Sequence, residues 1–377
     1  MHQFIQILKK LKISRNLWTR SMSQKINNFY RKYFMELAFK LAQINLYKTA
    51  ENPSVGCVVT DFNNKILSTG FTSVSGRPHA EKNALLRVPI NERKRIFITL
   101  EPCSHYGKTP PCVKNIKEKK VNEVYFSHYD KNPIVYKKGF NFFKKNKIRT
   151  SIEKTNFKDF YDKYNFTLQH QAPYVSAKLA ITKNLNTSVP DKKYFTNIKS
   201  LKFSHLLRYF NDSILIGKNT FLKDFPKLNC RIEGLNNFSP KIFVINNNLD
   251  FYLKHLSLYS KKIYIIHSCE NFTKVKKLKK YFNLIKLKSR NKIICPNDIL
   301  KCIFKLGLKR LLIEGGVKTL EIFQKQNLVN KFYFIKSQKN IKKSHQSAKF
   351  LINSAFNKNL NKYRVDINLD DNELFIN

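Results

Sequence analysis

Two short stretches of the sequence contain side chains that bind transition metals and move protons. GRPHAEKNAL contains His79 and Glu81, and TLEPCSHYGKTPPC contains Cys103 and Cys112. One imidazole and two thiolates provide three protein ligands for a tetrahedral ion and leave the fourth position open to water. Zinc bound in this way lowers the pKa of water to about 7, and a neighbouring carboxylate transfers the proton. The pattern predicts a catalytic zinc site with Glu81 as the proton carrier.

The segments around these residues alternate between predicted helices and strands. Apolar residues three and four positions apart in FYRKYFMELAFKLAQI predict an amphipathic helix. The runs VGCVVTD and KILSTGF predict a hairpin, and RIFITL and NEVYFSH predict strands. Helices are expected at HAEKNALLRV and CVKNIKEKK, so His79 and Cys112 each lie at a helix start, where backbone dipoles lower the pKa of a thiol. This half is therefore expected to be α/β with a mixed sheet.

The second half repeats the alternation. Strands are expected at APYVSAKLAI, SILIG, KIFVINN, KIYIIHS and RLLIEGG, with helices at LKFSHLLRYF, NDILKCIFKLG and KTLEIFQKQNL. The junction lies in FTLQHQAPYV. We therefore expect a basic N-terminal extension over 1–27, a first domain over 28–168 and a second α/β domain over 172–377.

The net charge of the chain is extreme, but the basic residues are spread along its whole length. The chain of 377 residues has a net charge of +46, which by itself suggests a nucleic-acid partner. The lysines are spread along the whole chain beside many Asn, Ile, Phe and Tyr residues, which favours a compositional bias and a solvated basic surface. No apolar run approaches the roughly 18 residues of a membrane-spanning helix. We expect neither a nucleic-acid nor a membrane partner, and homo-oligomerisation is left open.

The cysteines indicate the compartment. Seven scattered cysteines are not the framework of a secreted disulfide-rich protein, so we expect a reducing, cytoplasmic location. The first 35 residues contain no Asp or Glu, which is also typical of organelle transit peptides. A disordered extension or a start at Met22 are the alternatives for this segment.

The first half resembles the deaminase half of the bifunctional riboflavin-biosynthesis deaminase–reductases. That family has NPxVGCV, HAExNAL and TLEPCSHxGxTPPC, and this chain reads NPSVGCV, HAEKNAL and TLEPCSHYGKTPPC. The eight residues between the two cysteines distinguish the family from tRNA and cytidine deaminases. The resemblance implies a cytidine-deaminase-like three-layer α/β/α domain with a mixed sheet. It also implies zinc on the His and both Cys residues, Glu81 as proton shuttle, and Asn52 at the pyrimidine.

The first half contains one further candidate for substrate binding and one stretch that departs from the family pattern. Lys108 is a candidate for the substrate phosphate, with a solvent-facing loop lysine as the alternative. The later stretch DKNPIVYKKG resembles the family segment DPNPxVxGxG, but Lys131 and Lys137 depart from it. We therefore assign no chemistry to that stretch.

The second half resembles the reductase half of the same family, a dihydrofolate-reductase-like α/β domain that uses NADPH. The matching stretches are ILIGKNTFLKDFPKLNCR and LLIEGGVKTLEIFQKQNLVNKFYFI. The resemblance places one set of residues along the cofactor: Ala180, Thr220, Asp224, Gly316, Val317, Lys318, Thr319 and Leu320. It places a second set at the ribosyl phosphate substrate: Arg208, Leu228, Arg231 and Glu314.

The reductase half also departs from the family pattern. The family SLDGxxA corresponds to TKNLNTS, so Asn184 replaces an acidic residue and Leu185 replaces a glycine, and Phe225 replaces an aspartate. A leucine enters a positive-φ backbone less easily than glycine. The fold of the second half is therefore a firmer expectation than its activity.

The resemblance of both halves implies a bifunctional enzyme of riboflavin biosynthesis. The first domain is expected to deaminate 2,5-diamino-6-ribosylamino-4(3H)-pyrimidinone 5′-phosphate with zinc. The second is expected to reduce 5-amino-6-(5-phosphoribosylamino)uracil with NADPH. The alternatives are an active deaminase with a degenerate reductase domain, an RNA or nucleoside deaminase, and a nucleic-acid-binding protein with structural zinc.

Overall fold

The chain forms two compact units. The computed structural model describes residues 24–187, 195–224, 226–251, 263–340 and 347–377, with only the backbone of Asp224. The units comprise Met1–Asn165 and Phe166–Asn377. The predicted domain limits, 28–168 and 172–377, stay a prediction, and most of the basic extension over 1–27 lies outside the described residues.

The first unit is built on a mixed five-stranded sheet with the order β2-β1-β3-β4-β5 among its described residues. β1 is antiparallel to β2 and β3, whereas β3, β4 and β5 are parallel. The expected hairpin and strands are confirmed. Its elements are a helix over 24–44 (α1), β1 Gly56–Thr60, β2 Ile66–Phe71, α2 Ala80–Leu85, β3 Arg95–Leu100, α3 Cys112–Glu118, β4 Glu123–His128, α4 Lys138–Lys145, β5 Arg149–Ile152 and, across the division, α5 Asp162–His170.

The core of this unit forms where the apolar strands meet α1. Every residue of β1 and β3 is buried, as expected for strands covered on both faces. The amphipathic face of α1 contributes Phe34, Ala38 and Phe39 to the same core. A Cβ at Gly56 would lie 1.8 Å from the carbonyl oxygen of Ala38, so only glycine allows this close approach of helix and strand.

A buried lysine links two segments of the first unit. Lys94 is fully buried just before β3. Its ammonium donates hydrogen bonds of 2.8–2.9 Å to three backbone carbonyl oxygens, those of Pro89, Ile90 and Lys119. Burial lowers the pKa of the Lys94 amine. The three carbonyl acceptors provide the polar partners that a buried ammonium requires.

The second unit is built on a nine-stranded sheet with the order β10-β9-β8-β7-β13-β6-β14-β16-β15 among its described residues. Pairing is parallel from β10 to β14 and antiparallel for β14-β16-β15. The elements are β6 Tyr174–Ile181, α6 Ile198–Tyr209, β7 Ser213–Gly217, α7 Lys218–Asp224, β8 Lys241–Ile245, β9 Ile263–His267, α8 Phe272–Leu278, β10 Asn283–Lys286, a short β11 Ser289–Arg290 and β12 Ile293–Ile294 pair, α9 Pro296–Lys305, β13 Arg310–Glu314, α10 Val317–Gln324, β14 Lys331–Lys336, α11 Lys349–Ala355, β15 Arg364–Leu369 and β16 Asn372–Ile376.

The strand order of the second unit creates a crevice. The chain runs outward from β6 through β7 to β10 and then returns to insert β13 between β6 and β7. Ligands of open parallel sheets bind outside the carboxyl ends of the strands at such a reversal of order. The α/β fold predicted for both halves is confirmed, although the sequence did not predict α4, α5, α7, α8, α11, β5, β10, β11, β12 or the last three strands. None of the described helices combines the length and apolar character needed to cross a bilayer.

Candidate active sites

The structure brings the three predicted metal ligands together in the first unit. His79 immediately precedes α2, Cys103 follows β3, and Cys112 is the first residue of α3. Their ligand atoms all lie within 4.8 Å of one another. His79 Nδ1 is 3.3 Å from Cys112 Sγ and 3.7 Å from Cys103 Sγ.

These distances and donor types fit zinc. A tetrahedral ion with Zn–N and Zn–S bonds of about 2.0–2.3 Å separates its ligands by roughly 3.5 Å. A hydrogen bond from the Cys112 thiol, followed by His79 and the Cys112 backbone N–H, lowers the pKa of Cys103 to about 4. The same contact with Cys103 raises the pKa of Cys112. One sulfur is therefore held as a thiolate, the form that binds metal.

Glu81 lies beside these ligands in the first turn of α2. The side chain is buried, with 4% of the residue exposed. Burial raises the pKa of the Glu81 carboxyl, with His79 opposing the shift and Cys103 adding to it. A carboxyl that takes up a proton more readily than usual suits transfer of a proton to and from a reacting group.

The loops that surround the ligands are tied to one another. Asn52 Nδ2 donates to the carbonyl oxygen of Gly76 at 2.9 Å, next to the segment that leads into His79. Arg77 donates to Thr109 Oγ1 at 3.1 Å, in the loop between the two cysteines. Lys108 is exposed on that loop. The predicted substrate residues of this unit are thus on loops that adjoin the metal ligands.

A second buried glutamate supports the cysteine loop. Glu101 lies between β3 and the Pro102–Cys103 pair, and its carboxylate accepts hydrogen bonds from the backbone N–H groups of Lys137 and Phe140 at 3.0 and 3.1 Å. A Cβ at Gly139 would lie 2.4 Å from the carbonyl oxygen of Pro102. The stretch DKNPIVYKKG therefore packs directly against the loop that positions Cys103.

In the second unit, a buried ion-pair cluster occupies the crevice. Arg208 on α6 donates from Nε and Nη2 to both carboxylate oxygens of Glu314, each at 2.7 Å. Lys178 of β6 lies 3.8 Å from the same carboxylate. Burial alone raises the pKa of Glu314, but the bonds from Arg208 and the charges of Arg208 and Lys178 outweigh it and hold that pKa below its usual range. Glu314 is therefore a fixed negative charge that orients two cations.

The remaining predicted substrate residues lie on the loop that follows α7. Leu228 is buried and has a φ of 49°. Arg231 is exposed, and its Nε donates to His205 Nε2 at 3.3 Å. His205 lies on α6, one helical turn before Arg208. The structure thus brings Arg208, Glu314 and Arg231 together, with His205 as the link.

The predicted cofactor stretch begins α10. Gly315 and Gly316 have φ values of 96° and 60°, which favour glycine. A Cβ at Gly315 or Gly316 would lie 3.1 or 3.3 Å from Thr220 on α7, and a Cβ at Gly217 would lie 2.7 Å from Thr319 Oγ1. The start of α7 and the start of α10 therefore pack closely at the crevice, where unpaired helix N–H groups suit a phosphate.

The other predicted cofactor residues differ in their exposure. Val317 and Leu320 are buried and pack in the core, and Lys318 is exposed. Ala180 is in β6, paired with Ile335 of β14. Asp224 ends α7, and its side chain, like Phe225, lies outside the described residues.

The altered turn after β6 retains a tight geometry. Leu185 has a φ of 65°, the left-handed conformation that the family glycine takes easily. Thr182 Oγ1 donates to Asn184 Oδ1 at 2.7 Å, and the Leu185 N–H donates to the Thr182 carbonyl at 3.0 Å. The replacements at positions 184 and 185 are therefore accommodated in a closed turn.

Sequence reasoning missed three residues of these sites. Lys178 is the charged residue within the apolar run YVSAKLAI, which is a signal of function. His205 lies on the same helix face as Arg208, at a spacing of three. Glu101 directly precedes the Pro-Cys pair. Each has a local signal, but its partner is distant in the sequence.

Comparisons with known proteins give one family match in each half of the chain. The family model for the cytidine and deoxycytidylate deaminase zinc-binding region matches residues 30–128. The model for the RibD C-terminal domain matches residues 176–337. The two matches lie in the first and second units respectively.

Individual relatives extend the similarity along the chain. The riboflavin biosynthesis protein RibD of Aquifex aeolicus is 30% identical over 308 residues, covering 80% of this chain and 85% of the relative. A diaminohydroxyphosphoribosylamino-pyrimidine deaminase of Buchnera aphidicola is 38% identical over 119 residues, covering 31% of this chain and 79% of its own. The solved structure of Acinetobacter baumannii RibD has the same fold, with a TM-score of 0.77 at 22% identity over 93% of this chain and 99% of its own.

Proposed function

Since this chain belongs to the RibD family of riboflavin-biosynthesis deaminase–reductases, we propose that its two units catalyse two successive steps on a small phosphorylated pyrimidine. The first unit removes the 2-amino group of 2,5-diamino-6-ribosylamino-4(3H)-pyrimidinone 5′-phosphate as ammonia. The second reduces the ribosyl chain of 5-amino-6-(5-phosphoribosylamino)uracil with NADPH. The observation that carries the proposal is the convergence of His79, Cys103 and Cys112 beside Glu81.

In the first unit, His79, Cys103 and Cys112 are the residues that hold zinc. When bound, zinc supplies the Lewis acid that makes water nucleophilic at neutral pH. Glu81 takes the proton from the attacking water and returns it to the departing amine, because its buried carboxyl accepts a proton readily. Asn52 contacts the pyrimidine ring, and Lys108 attracts the 5′-phosphate.

In the second unit, the crevice holds cofactor and substrate next to each other. The start of α10 at Gly316 and Val317 binds a phosphate of NADPH, since its first N–H groups have no partner within the helix. Glu314, which directly precedes the glycine pair, faces the ribosyl group together with Lys178. Arg231 binds the substrate phosphate. Protein groups position the hydride donor and acceptor, and the cofactor supplies the reducing electrons.

The cysteines agree with the compartment expected for such an enzyme. All seven are free in the structure. Free thiols persist in reducing compartments, so we place the protein in the cytoplasm.

The test supplies purified, zinc-loaded protein with the diamino-pyrimidine phosphate, with and without NADPH. Ammonia and the deaminated ribosyl product are expected without NADPH, and the ribityl product with it, each identified by mass. If ammonia is released but no ribityl product forms in the presence of NADPH, only the deaminase domain is active and the reductase domain is degenerate. Absence of ammonia from the pyrimidine, with release from tRNA instead, would contradict the proposal.

A further inference from the structure

His205 lies between Arg208 and Arg231 in the second unit. It is 9% exposed. Its Nδ1 lies 3.1 Å from the carbonyl oxygen of Asn229, and its Nε2 lies 3.3 Å from Nε of Arg231. Arg208 Nη1 reaches the same Asn229 carbonyl at 3.2 Å. One imidazole therefore connects α6 to the loop that contains Leu228 and Arg231.

The contact with the Arg231 side chain fixes the form of the ring. Nε2 accepts from the Arg231 guanidinium only when it carries no hydrogen, which leaves the ring hydrogen of the neutral form on Nδ1. Nδ1 lies 3.1 Å from the Asn229 carbonyl oxygen and also 3.3 Å from the backbone nitrogen of Arg231. The other neutral tautomer would direct an Nε2 hydrogen at the Nε hydrogen of Arg231. A protonated ring would also direct an Nε2 hydrogen at Arg231, and it would add a positive charge beside those of Arg208 and Arg231.

We propose that His205 is a positioning residue for substrate recognition, whose neutral imidazole holds the Arg231 guanidinium and its loop in place to bind the substrate phosphate. Guanidinium groups bind phosphate best when two N–H donors point the same way. Holding Arg231 through Nε leaves its two terminal nitrogens for that purpose. The inference rests on the proposed reduction of a ribosyl phosphate by this unit.

The charges around the ring make the arrangement sensitive to pH. Arg208 on the same helix, Arg231 on the loop and Glu314 on β13 are the charged groups that act on it. Burial and then Arg208, with Arg231 adding to them, lower the pKa of His205. The neutral form of the imidazole is therefore favoured, and the ring takes up a proton at a lower pH than an ordinary histidine does.

The first experiment separates KM from kcat in the reduction of the deaminated substrate. Arg231→Met is expected to raise the substrate KM about tenfold, since a charged hydrogen bond is lost, with kcat within about twofold. His205→Asn keeps the donor to Asn229 but loses the acceptor for Arg231, so it is expected to raise KM similarly. His205→Gln, whose amide oxygen can reach the Nε2 position, is expected to restore most of the affinity. The matched control is His170→Gln, an exposed histidine at the end of α5, which is expected to change neither constant.

The second experiment compares pH profiles of the wild type and His205→Gln. The substrate phosphate itself has a pKa of about 6, so both profiles contain its titration. The ratio of the variant KM to the wild-type KM cancels that contribution. This ratio is expected to lie near one at neutral pH and to fall below one as the pH decreases, because the wild-type ring loses its acceptor while the amide does not.

Binding of ribose 5-phosphate, measured by calorimetry without NADPH, separates failure of the inference from failure of the proposed reaction. The wild type is expected to bind, and His205→Asn and Arg231→Met are expected to bind about tenfold more weakly. Binding that is equal in all three proteins, or absent in the wild type, would overturn the inference even if reduction occurs. An unchanged KM in His205→Asn beside a raised KM in Arg231→Met would overturn it as well.

Discussion

Glu81 in the first unit and Glu314 in the second are both buried glutamates at a site, but their pKa values are shifted in opposite directions. Burial dominates at Glu81, so its carboxyl holds a proton more readily than usual. At Glu314, hydrogen bonds and charge from Arg208, with the charge of Lys178, outweigh burial and keep the carboxylate ionised. The same residue type is thus adapted for two different tasks by its neighbours.

The difference indicates what each site requires. Hydrolytic deamination moves protons between water and an amine, so a carboxyl that changes its protonation state is useful there. In the second site the cofactor supplies the hydride, and the ionised Glu314 holds its cationic partners in position. Burial also raises the pKa of Glu101, but its carboxylate accepts hydrogen bonds from the backbone N–H groups of Lys137 and Phe140 and supports the cysteine loop.

The largest expected effect tests whether Glu81 transfers the proton in deamination. Glu81→Gln is expected to slow ammonia release roughly 100- to 10,000-fold, because the amide cannot carry the proton. Zinc content, measured by atomic emission, is expected to stay stoichiometric, and reduction of pre-deaminated substrate is expected to be unchanged. Glu51→Gln, an exposed position in the same unit, is the control. Unchanged ammonia release would refute the role of Glu81.

The next effect tests whether Glu314 is a fixed negative charge in the second unit. Glu314→Gln leaves Arg208 and Lys178 without their buried counter-charge, so it is expected to destabilise this unit by about 3–5 kcal/mol at pH 7. Since the folded pKa of Glu314 is depressed, its contribution is present above the unfolded glutamate pKa and is lost as the pH falls through the folded pKa. Denaturation curves should therefore converge for variant and wild type on acidification. A difference that stays constant as the pH falls from 7 to well below the unfolded glutamate pKa would contradict the assignment.

A smaller effect tests the support of the cysteine loop. Gly139→Ala would place a methyl group 2.4 Å from the Pro102 carbonyl oxygen. It is expected to destabilise the first unit by about 1–3 kcal/mol and to weaken zinc retention against a chelator, because Pro102 adjoins Cys103. Gly107→Ala has no atom closer than 3.8 Å to its new methyl group and should retain zinc like the wild type. Equal zinc loss in both variants would contradict the proposal that the segment around Gly139 supports the loop that holds Cys103.

The smallest effect compares one altered glycine position in each unit. Lys137 and Leu185 stand where the family pattern has glycine, and their φ values are 60° and 65°. Lys137→Gly is expected to stabilise the protein by about 1 kcal/mol through relief of left-handed strain. Leu185→Gly is expected to be close to neutral, because Leu185 also packs against the core and its loss cancels the gain. Thermal denaturation of both variants checks the difference in stability. If Leu185→Gly stabilises the protein more than Lys137→Gly does, this explanation is wrong.

The sequence predicted those parts of the molecule whose signals are local. The strands β1 and β3 are short apolar runs, and the helices α2 and α3 begin beside His79 and at Cys112, so residue order and spacing were enough to place the metal ligands near one another. The reversal of strand order that forms the crevice was not predicted, because sequence periodicity does not give the neighbours of a strand.

The remaining residues could not be predicted because their roles depend on distant contacts. Glu101 is bound by the N–H groups of Lys137 and Phe140, which lie more than 35 residues further along the chain. His205 has a role only because Arg231 folds back onto it. Leu185 shows the opposite case, since the sequence predicted difficulty with a positive φ and the structure adopts that φ within a closed turn.

The burial of Lys94 provides a way to observe opening of the first unit. An amine-reactive label would modify surface lysines of this lysine-rich chain while the unit is folded, but it would reach Lys94 only after its carbonyl partners separate. The rate at which mass spectrometry detects label on the Lys94 peptide therefore measures how often the unit opens. One of those partners lies at the end of α3, the helix that begins with Cys112. Chelation of zinc is then expected to accelerate that labelling.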